Sequence, residues 1–191
     1  MERDLYDLPY VGLQEMICKC MGLESIVDIP EGMKETPERV IRMYKEMTKG
    51  YSVDISSLFK VFEEPDANEM VIVKDIEFVS LCEHHLVMFE GRATVGYIPD
   101  GRVIGLSKIA RVVQAFAQRF QLQERMTKQI ADTMVEYLSP KGVGVIVEAR
   151  HLCMSGRGAK AKNASTTTSA MRGIFLDDDK TRAEFLKLSR M

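Results

Sequence analysis

The sequence is poor in the residues that build disulfide scaffolds and metal centres, with four cysteines and three histidines among 191 residues. Four cysteines are too few to stabilise a chain of this length through disulfides, so we expect a reducing, cytoplasmic location. No apolar run approaches the ~18 residues that a membrane-spanning helix needs. The amino terminus carries acidic residues and no apolar stretch, so we expect no export signal.

Net charge is also low, because 26 basic and 28 acidic side chains leave a formal charge of −2. Together with 46% hydrophobic residues, this balance excludes an intrinsically disordered chain. The length suits one domain with a helical appendage. We predict an amino-terminal helical portion over residues 1–68 and a second domain over residues 69–191.

Two helices are expected in the amino-terminal portion. The first spans Leu8–Gly22, where the glycine is a typical stop. The second follows the Thr36-Pro37 pair, in which Thr36 is a candidate cap and Pro37 suits the first turn, and it ends at Gly50. Its apolar side chains recur with helical spacing at Val40, Met43, Tyr44 and Met47.

The remaining sequence predicts strands and helices in pairs. Met70–Ile98 is rich in β-branched and alternating residues, and a hairpin turn at Pro99–Gly101 is expected to lead into a short strand at Val103 and Ile104. The later elements are a helix capped by Ser107, a helix over Gln123–Leu138, strands at Val143–Ala149 and Thr166–Phe175, and a helix over Thr181–Leu188.

This order of elements predicts the fold class. Two strands, two long helices and two further strands (ββααββ) are typical of an α+β domain with an antiparallel four-stranded sheet. The amino-terminal helices are added to that core. A four-stranded sheet leaves two edges open, so we expect pairing between subunits.

The histidines and two of the cysteines are concentrated in two short segments, Cys82–His85 and His151–Cys153. Thiolate and imidazole are the ligands that Zn²⁺ prefers, and the set Cys82, His85 and Cys153 leaves one coordination position open. His84 and His151 then remain for proton transfer. The alternative is that these are ordinary buried thiols and surface histidines.

The other two cysteines, Cys18 and Cys20, are two residues apart on a predicted helix. Such residues face different sides of a helix and do not readily share a metal. We interpret both as core or interface residues.

The low net charge hides two basic stretches beside the histidine and cysteine segments. Residues 101–128 contain six basic residues and one acid, and residues 150–172 contain five basic residues and no acid. One interpretation is a polyphosphate site, and the alternative is a solvated basic face, which we favour for Arg102, Lys160 and Lys162. The basic residues are not interleaved with aromatic residues, so we expect no nucleic-acid partner.

Gln123 and Glu124 are the polar pair within this basic region. A carboxylate can accept two hydrogen bonds from the N1 and N2 edge of guanine, and an amide can add another. The alternative is that Glu124 only stabilises the first turn of its helix, and the spacing alone favours this alternative.

Taken together, these segments resemble type I GTP cyclohydrolase, over nearly the whole chain from about Leu8 onward. The motifs that carry the resemblance are Cys82–His85, Val103–Arg111, Gln123–Ala131, His151–Met154 with Arg157 and Gly158, Thr168–Ala170 and Thr181–Phe185.

The resemblance implies the tunnelling fold, a toroidal homodecamer with active sites between subunits, and conversion of GTP with loss of formate. It implies that Cys82, His85 and Cys153 bind zinc and that His84 and His151 transfer protons. The implied substrate contacts are Gln123 and Glu124 for guanine, Ser107 for ribose, and Lys108, Arg111 and Arg157 for the triphosphate, with Arg39 and Arg42 reaching it from a neighbouring subunit.

One departure concerns Gly156, where the family usually has a larger apolar residue, and the loop Ala159–Ser165 is also less typical. We expect these differences to affect triphosphate affinity or loop mobility. Two other functions stay open at this point: a zinc-binding oligomer without catalysis, or a related tunnelling-fold enzyme acting on another purine or pterin.

Overall fold

The structure is a computed structural model that describes residues 8–190. Residues 1–7, on which the expectation of no export signal depends, lie outside the described residues. Contacts divide the chain into two units, one up to Thr48 and one from Lys49 onward. The predicted domain boundary at 68/69 stays a prediction. None of the helices within residues 8–190 has the length and apolar character needed to cross a membrane.

The amino-terminal unit contains helices α1 (Leu8–Met21) and α2 (Thr36–Met47), which contact each other, and two 3₁₀ turns, Ile26–Asp28 and Glu31–Met33. Cys18 is buried in a small apolar cluster, whereas Cys20 is exposed. Cys20 is therefore not a core residue of this unit, and its interpretation as an interface residue stays a prediction.

The predicted start and end of α2 are corrected by the structure. Thr36 is the first residue of the helix and not its cap, because the carbonyl of Glu35 already accepts the amide of Arg39. Pro37 lies in the first turn as expected. The helix ends at Met47, before Gly50, because residues 49–52 form a 3₁₀ turn.

Seven strands and five helices follow within residues 49–190. The strands are β1 (Val61–Glu63), β2 (Val71–Cys82), β3 (Met88–Ile98), β4 (Arg102–Ile104), β5 (Phe120–Gln121), β6 (Gly142–His151) and β7 (Thr166–Gly173). The helices are α3 (Leu106–Ala117), α4 (Gln123–Leu138), α5 (Leu152–Ser155), α6 (Ile174–Asp177) and α7 (Asp179–Ser189). Two 3₁₀ turns lie at Lys49–Ser52 and Ser56–Leu58.

The main sheet has the strand order β5-β2-β3-β6-β7, and its four long strands are antiparallel. This confirms the predicted α+β class with an antiparallel four-stranded sheet. The two-residue strand β5, which pairs in parallel with the end of β2, adds a fifth strand that the sequence did not predict.

The predicted hairpin at Pro99–Gly101 is wrong. Strand β4 follows this turn but pairs antiparallel with β1, with Val61 opposite Ile104. The reason is that β3 is a central strand, already bonded to β2 on one side and β6 on the other, so it has no free edge for β4.

Helices α3 and α4 pack against the sheet and close its core. They contribute fully buried apolar side chains at Val112, Val113, Met126, Ile130 and Met134. The prediction that Ser107 caps α3 is wrong. The helix begins at Leu106, one residue before Ser107, and the carbonyl of Gly105 accepts the amide of Lys108. Helix α4 has the predicted bounds.

The last helix, α7, is held to the sheet through Phe185. Gly96 on β3 and Gly144 on β6 lie directly opposite each other, and a Cβ atom built on either would come within 2.7 Å of the Phe185 ring. Asp178 caps the helix by accepting the amide of Thr181. The helix begins at Asp179, two residues before the predicted start at Thr181.

The strand directions bring the two histidine- and cysteine-containing segments to the same edge of the sheet. Strands β2 and β6 are both antiparallel to β3, so they run in the same direction and end at the same edge of the sheet. Cys82 is the last residue of β2 and His151 the last residue of β6. Helix α4 begins at that edge, because Gln121 just before it pairs with Cys82.

Candidate active site

A cysteine–histidine cluster lies at this edge of the sheet. The ligand atoms of Cys82, His85 and Cys153 all lie within 4.8 Å of one another. Around a tetrahedral Zn²⁺ with bonds of ~2.0–2.3 Å, ligand atoms stand roughly 3.6–3.8 Å apart. Small shifts of the side chains are therefore enough to bring the three ligand atoms to the spacing of three ligands around one metal ion.

The Cys82–His85 segment is a tight turn. The carbonyl of Cys82 accepts the amides of His85 and Leu86 at 3.3 and 2.8 Å, and Leu86 has a positive φ of 53°. The turn brings Nδ1 of His85 to 3.9 Å from Sγ of Cys82.

An ion pair attaches this turn to helix α4. The two terminal guanidinium nitrogens of Arg125 donate to the two carboxylate oxygens of Glu83, at 2.5 and 3.0 Å. Hydrogen bonding to Arg125 holds the pKa of Glu83 below its usual value. The backbone amide of Glu83 also donates to the carbonyl of Gln121, so the turn is anchored at two points.

The chemistry of the donor set fits a divalent metal. Burial, followed by the proximity of Cys82, raises the pKa of the Cys153 thiol. Two thiolates this close together are unfavourable unless a cation lies between them. Two sulfurs and one imidazole nitrogen are the ligands of a zinc site with an open fourth position.

A cavity of about 200 Å³ adjoins the cluster. Its wall combines the cluster with polar residues from the ends of β5 and β6 and the start of α4. The lining residues are Cys82, His84, His85, Gln121, Leu122, Gln123, Glu124, His151, Cys153, Met154 and Thr166.

His151 is held in the cavity wall by two neighbours. Its ring stacks on Phe89, with 4.6 Å between the ring centroids and 5° between the planes. Its Nε2 atom lies 2.8 Å from Oε1 of Gln123. Burial lowers the pKa of His151, and the charge of Glu124 opposes this shift. Burial therefore favours the neutral form of this imidazole.

His84 contrasts with His151 in its surroundings. It is exposed and stands edge-on to His85, with 6.2 Å between the two rings. The cavity thus presents one enclosed and one solvated imidazole. Glu124 is likewise exposed at the start of α4, where its carboxylate can meet a ligand.

Gln121 is a polar residue of the cavity that the sequence analysis missed. It is 2% exposed, and its amide nitrogen donates to the carbonyl of Phe116 and to Oε1 of Gln129. Its Oε1 atom is buried and has no hydrogen-bond partner among residues 8–190. No motif in the sequence marks this residue, because its position depends on the pairing of β5 with β2.

The residues predicted to contact the ribose and the triphosphate are not part of the cavity wall in one chain. Ser107, Lys108 and Arg111 lie in the first turns of α3, and Arg157 follows α5. Within residues 8–190, none of these three basic residues forms an ion pair, so their charges are available to a ligand.

Arg39 and Arg42 belong to helix α2 of the amino-terminal unit. The Arg39 guanidinium donates to Glu35 and to the carbonyl of Gly32, and Arg42 lies 3.9 Å from Glu38. Both arginines are exposed, and their ion pairs within residues 8–190 are to exposed carboxylates. Such surface ion pairs are weak, so they do not prevent either guanidinium from binding a ligand.

The fold and the site define an α+β protein with a cavity that contains a Cys₂His group able to hold a metal ion, two further imidazoles and a carboxylate. The family model of GTP cyclohydrolase I matches residues 16–190 of the chain. The chain belongs to the GTP cyclohydrolase I family, which has the tunnelling fold, and the resemblance described above is confirmed.

Individual relatives agree with the family match. The chain is 56% identical to GTP cyclohydrolase 1 of Aquifex aeolicus over 169 residues, which cover 87% of this chain and 90% of the relative. It is 52% identical to the Campylobacter jejuni protein of the same name (strain 81-176) over 175 residues, 90% of this chain and 92% of the relative. Among solved structures, the archaeosine synthase QueF-Like in its apo form aligns over 55% of this chain and 93% of its own, with 19% identity and a TM-score of 0.46.

Proposed function

We propose that this chain is a zinc-dependent GTP cyclohydrolase I that converts GTP into formate and 7,8-dihydroneopterin triphosphate. The observation that carries the proposal is the presence of the Cys₂His cluster, two further histidines and Glu124 around one cavity, in a chain of this family. A zinc-binding protein without catalysis would not need His84, His151 or Glu124 at the same cavity.

Cys82, His85 and Cys153 would hold the metal. When bound, Zn²⁺ supplies Lewis acidity that makes water nucleophilic at neutral pH. The turn at Cys82–His85 fixes two of these ligands relative to the sheet, and the ion pair of Glu83 with Arg125 restrains the turn. Cys153, on the short helix after β6, would add the third ligand from a strand that is separated from β2 by β3.

The reaction requires proton transfers at two stages. Addition of water at C8 of guanine opens the imidazole ring to a formamide, and a second water releases formate. The ribose then undergoes an Amadori rearrangement and ring closure releases one water. We assign the proton transfers to His84 and His151, because an imidazole can give and take protons near neutral pH.

Glu124 is assigned to guanine recognition. Its exposed carboxylate at the cavity can accept the N1 and N2 hydrogens of the base, an arrangement specific for guanine over adenine. Gln123, predicted as its partner, has a buried amide with hydrogen bonds of its own, and we assign it another role below.

Ser107, Lys108, Arg111 and Arg157 are assigned to the ribose and triphosphate, and Arg39 and Arg42 to additional triphosphate contacts. Lys108 and Arg111 are outside the cavity wall of their own chain, so they would act in the cavity of a neighbouring subunit. A homodecamer with active sites between subunits meets this requirement. We place this activity in the cytoplasm, where GTP is available and thiols stay reduced.

The proposal is tested by incubating the purified chain with GTP and following formate release together with the fluorescence of the oxidised pterin. Both products should appear in equal amounts, stop with a chelator and return with Zn²⁺. Release of neither product from metal-loaded protein would favour the non-catalytic alternative. Turnover of another purine nucleotide in preference to GTP would favour the related enzyme.

A further inference from the structure

The amide of Gln123 is held in one orientation by its surroundings. Its Nε2 atom donates to the carbonyls of Val147 and Thr166 at 3.0 and 2.8 Å, and it also lies 3.2 Å from Oγ1 of Thr168. With the amide reversed, Oε1 would face two carbonyl oxygens without any hydrogen between them. Gln123 is 2% exposed, so water would not relieve this repulsion.

A chain of hydroxyl groups supports that orientation. The hydroxyl of Thr127 donates to the carbonyl of Gln123 at 2.7 Å and therefore accepts from the hydroxyl of Thr168, 2.6 Å away. Because its hydrogen is used in this way, Thr168 can only accept from Gln123. Thr168 lies directly opposite Val147 in the pairing of β7 with β6, so the backbone keeps both acceptors in register.

This arrangement determines which nitrogen of His151 carries a hydrogen. The Oε1 atom of Gln123 has no hydrogen and can only accept, so Nε2 of His151, 2.8 Å away, must be the donor. In the neutral ring, the lone pair is then on Nδ1. The stacking on Phe89 fixes the plane of the ring, and Gln123 fixes its rotation within that plane.

We propose that Gln123 is a positioning residue that keeps His151 in the Nε2–H tautomer, so that Nδ1 is the ring nitrogen that carries the lone pair. Thr168 and Thr127 support Gln123 in this role. The proposal rests on the proposed function for the reaction that uses His151, whereas the tautomer itself is a property of the protein alone.

The direct test is a magic-angle-spinning ¹⁵N spectrum of the zinc-loaded enzyme labelled only at histidine. The chain has three histidines, so the signals are few, and a His151→Gln variant assigns those of His151. We expect neutral His151 with a protonated Nε2 and an unprotonated Nδ1. An Nδ1–H tautomer in the wild-type enzyme would overturn the proposal without any activity measurement.

Substitutions on β7 provide the matched variants. Thr168→Val removes the hydroxyl that supports Gln123, Thr168→Ser keeps it, and Thr167→Val changes the exposed neighbour on the opposite face of the strand. Thr168→Val should lower kcat roughly three- to tenfold, the effect of about one neutral hydrogen bond, and should broaden or mix the His151 tautomer signals. Thr168→Ser and Thr167→Val should keep the wild-type spectrum and rate.

Gln123→Met removes the acceptor altogether, and kcat should fall about 100-fold with the metal retained, as for other residues that orient a catalytic side chain. If this variant does not fold, the wild-type and Thr168 spectra still decide the question. An unchanged tautomer and unchanged kcat in Thr168→Val would contradict the positioning role. Absence of GTP turnover in the wild type would instead contradict the proposed function, with the tautomer still measurable.

Discussion

The Sγ atom of Cys82 lies 3.9 Å from Nδ1 of His85, although Cys82 is buried at the end of a strand and His85 is exposed in the turn that follows. The turn therefore presents one proposed ligand from the core and one from the solvent side. The third proposed ligand, Cys153, follows a different strand, so we expect metal binding to depend on the tertiary fold.

This dependence gives the first prediction. Cys153→Ala should reduce bound zinc from stoichiometric to trace amounts, because two ligands from one turn do not complete the site. The measurement is elemental analysis after gel filtration. Cys20→Ala is the matched control, since Cys20 is an exposed thiol of the amino-terminal unit, and it should keep its metal. Full metal content in Cys153→Ala would exclude Cys153 as a ligand.

The second prediction separates the proton-transfer residues from the metal ligands. His84→Ala and His151→Ala should each keep bound zinc and lower kcat on the order of 10²–10⁴-fold, the usual contribution of a general acid or base. The measurement pairs metal analysis with formate release. Normal formate release by either variant would refute the assigned role of that histidine.

The third prediction concerns the triphosphate. Lys108→Gln should lower kcat/KM for GTP roughly 10- to 100-fold, because a charge-assisted hydrogen bond contributes about 1.5–3 kcal/mol. Guanosine, which has no phosphates, should be affected much less. Lys162→Gln is the control, since we interpret Lys162 as part of a solvated basic face. Equal losses in the two variants would argue against a specific phosphate contact.

The fourth prediction concerns stability. Gly144→Ala should destabilise the fold by about 1–3 kcal/mol, because the new methyl group would lie 2.7 Å from Phe185 and 2.9 Å from Phe175. Gly12→Ala, in helix α1 with no atom near its Cβ position, should leave the fold unchanged or slightly more stable. Thermal unfolding compares the two. Equal midpoints would mean that the Phe185 ring yields without cost.

Local sequence patterns predicted the fold class and most of its elements. Helix α4 begins at Gln123 and ends at Leu138 as its apolar periodicity indicates, and the four long strands overlap the predicted strand segments. The strand predicted over Thr166–Phe175 ends at Gly173, because helix α6 begins at Ile174. The membership of the GTP cyclohydrolase I family, read from the ordered motifs, is confirmed.

What local patterns missed depends on long-range pairing. The Pro99–Gly101 turn is a good hairpin signal, but β3 has two partners already, and this fact lies in the pairing of β6 some 45 residues later. The role of Gly96 and Gly144 cannot be read from either residue alone, because it depends on the strand register that sets them opposite each other against the Phe185 ring. The predictions that Thr36 and Ser107 cap their helices were wrong, because the start of a helix depends on which backbone carbonyl accepts the first helical hydrogen bond.

The same limit applies to the site. The residue types of Cys82, His85 and Cys153 indicated a metal site from the sequence, because few other combinations serve zinc. Nothing in the sequence indicated Gln121 or the hydrogen-bond network around Gln123. The acceptors at Val147 and Thr166 are backbone carbonyls, which every residue has. Residue identity alone carries no signal for such contacts.

The central claim, hydrolysis of GTP at C8, is tested most directly with GTP labelled with ¹³C at that atom. The zinc-loaded chain should transfer the entire label to free formate, observed by ¹³C NMR, while the triphosphate stays intact on the pterin product. Label that remains in a purine ring, or phosphate release with no labelled formate, would contradict the account.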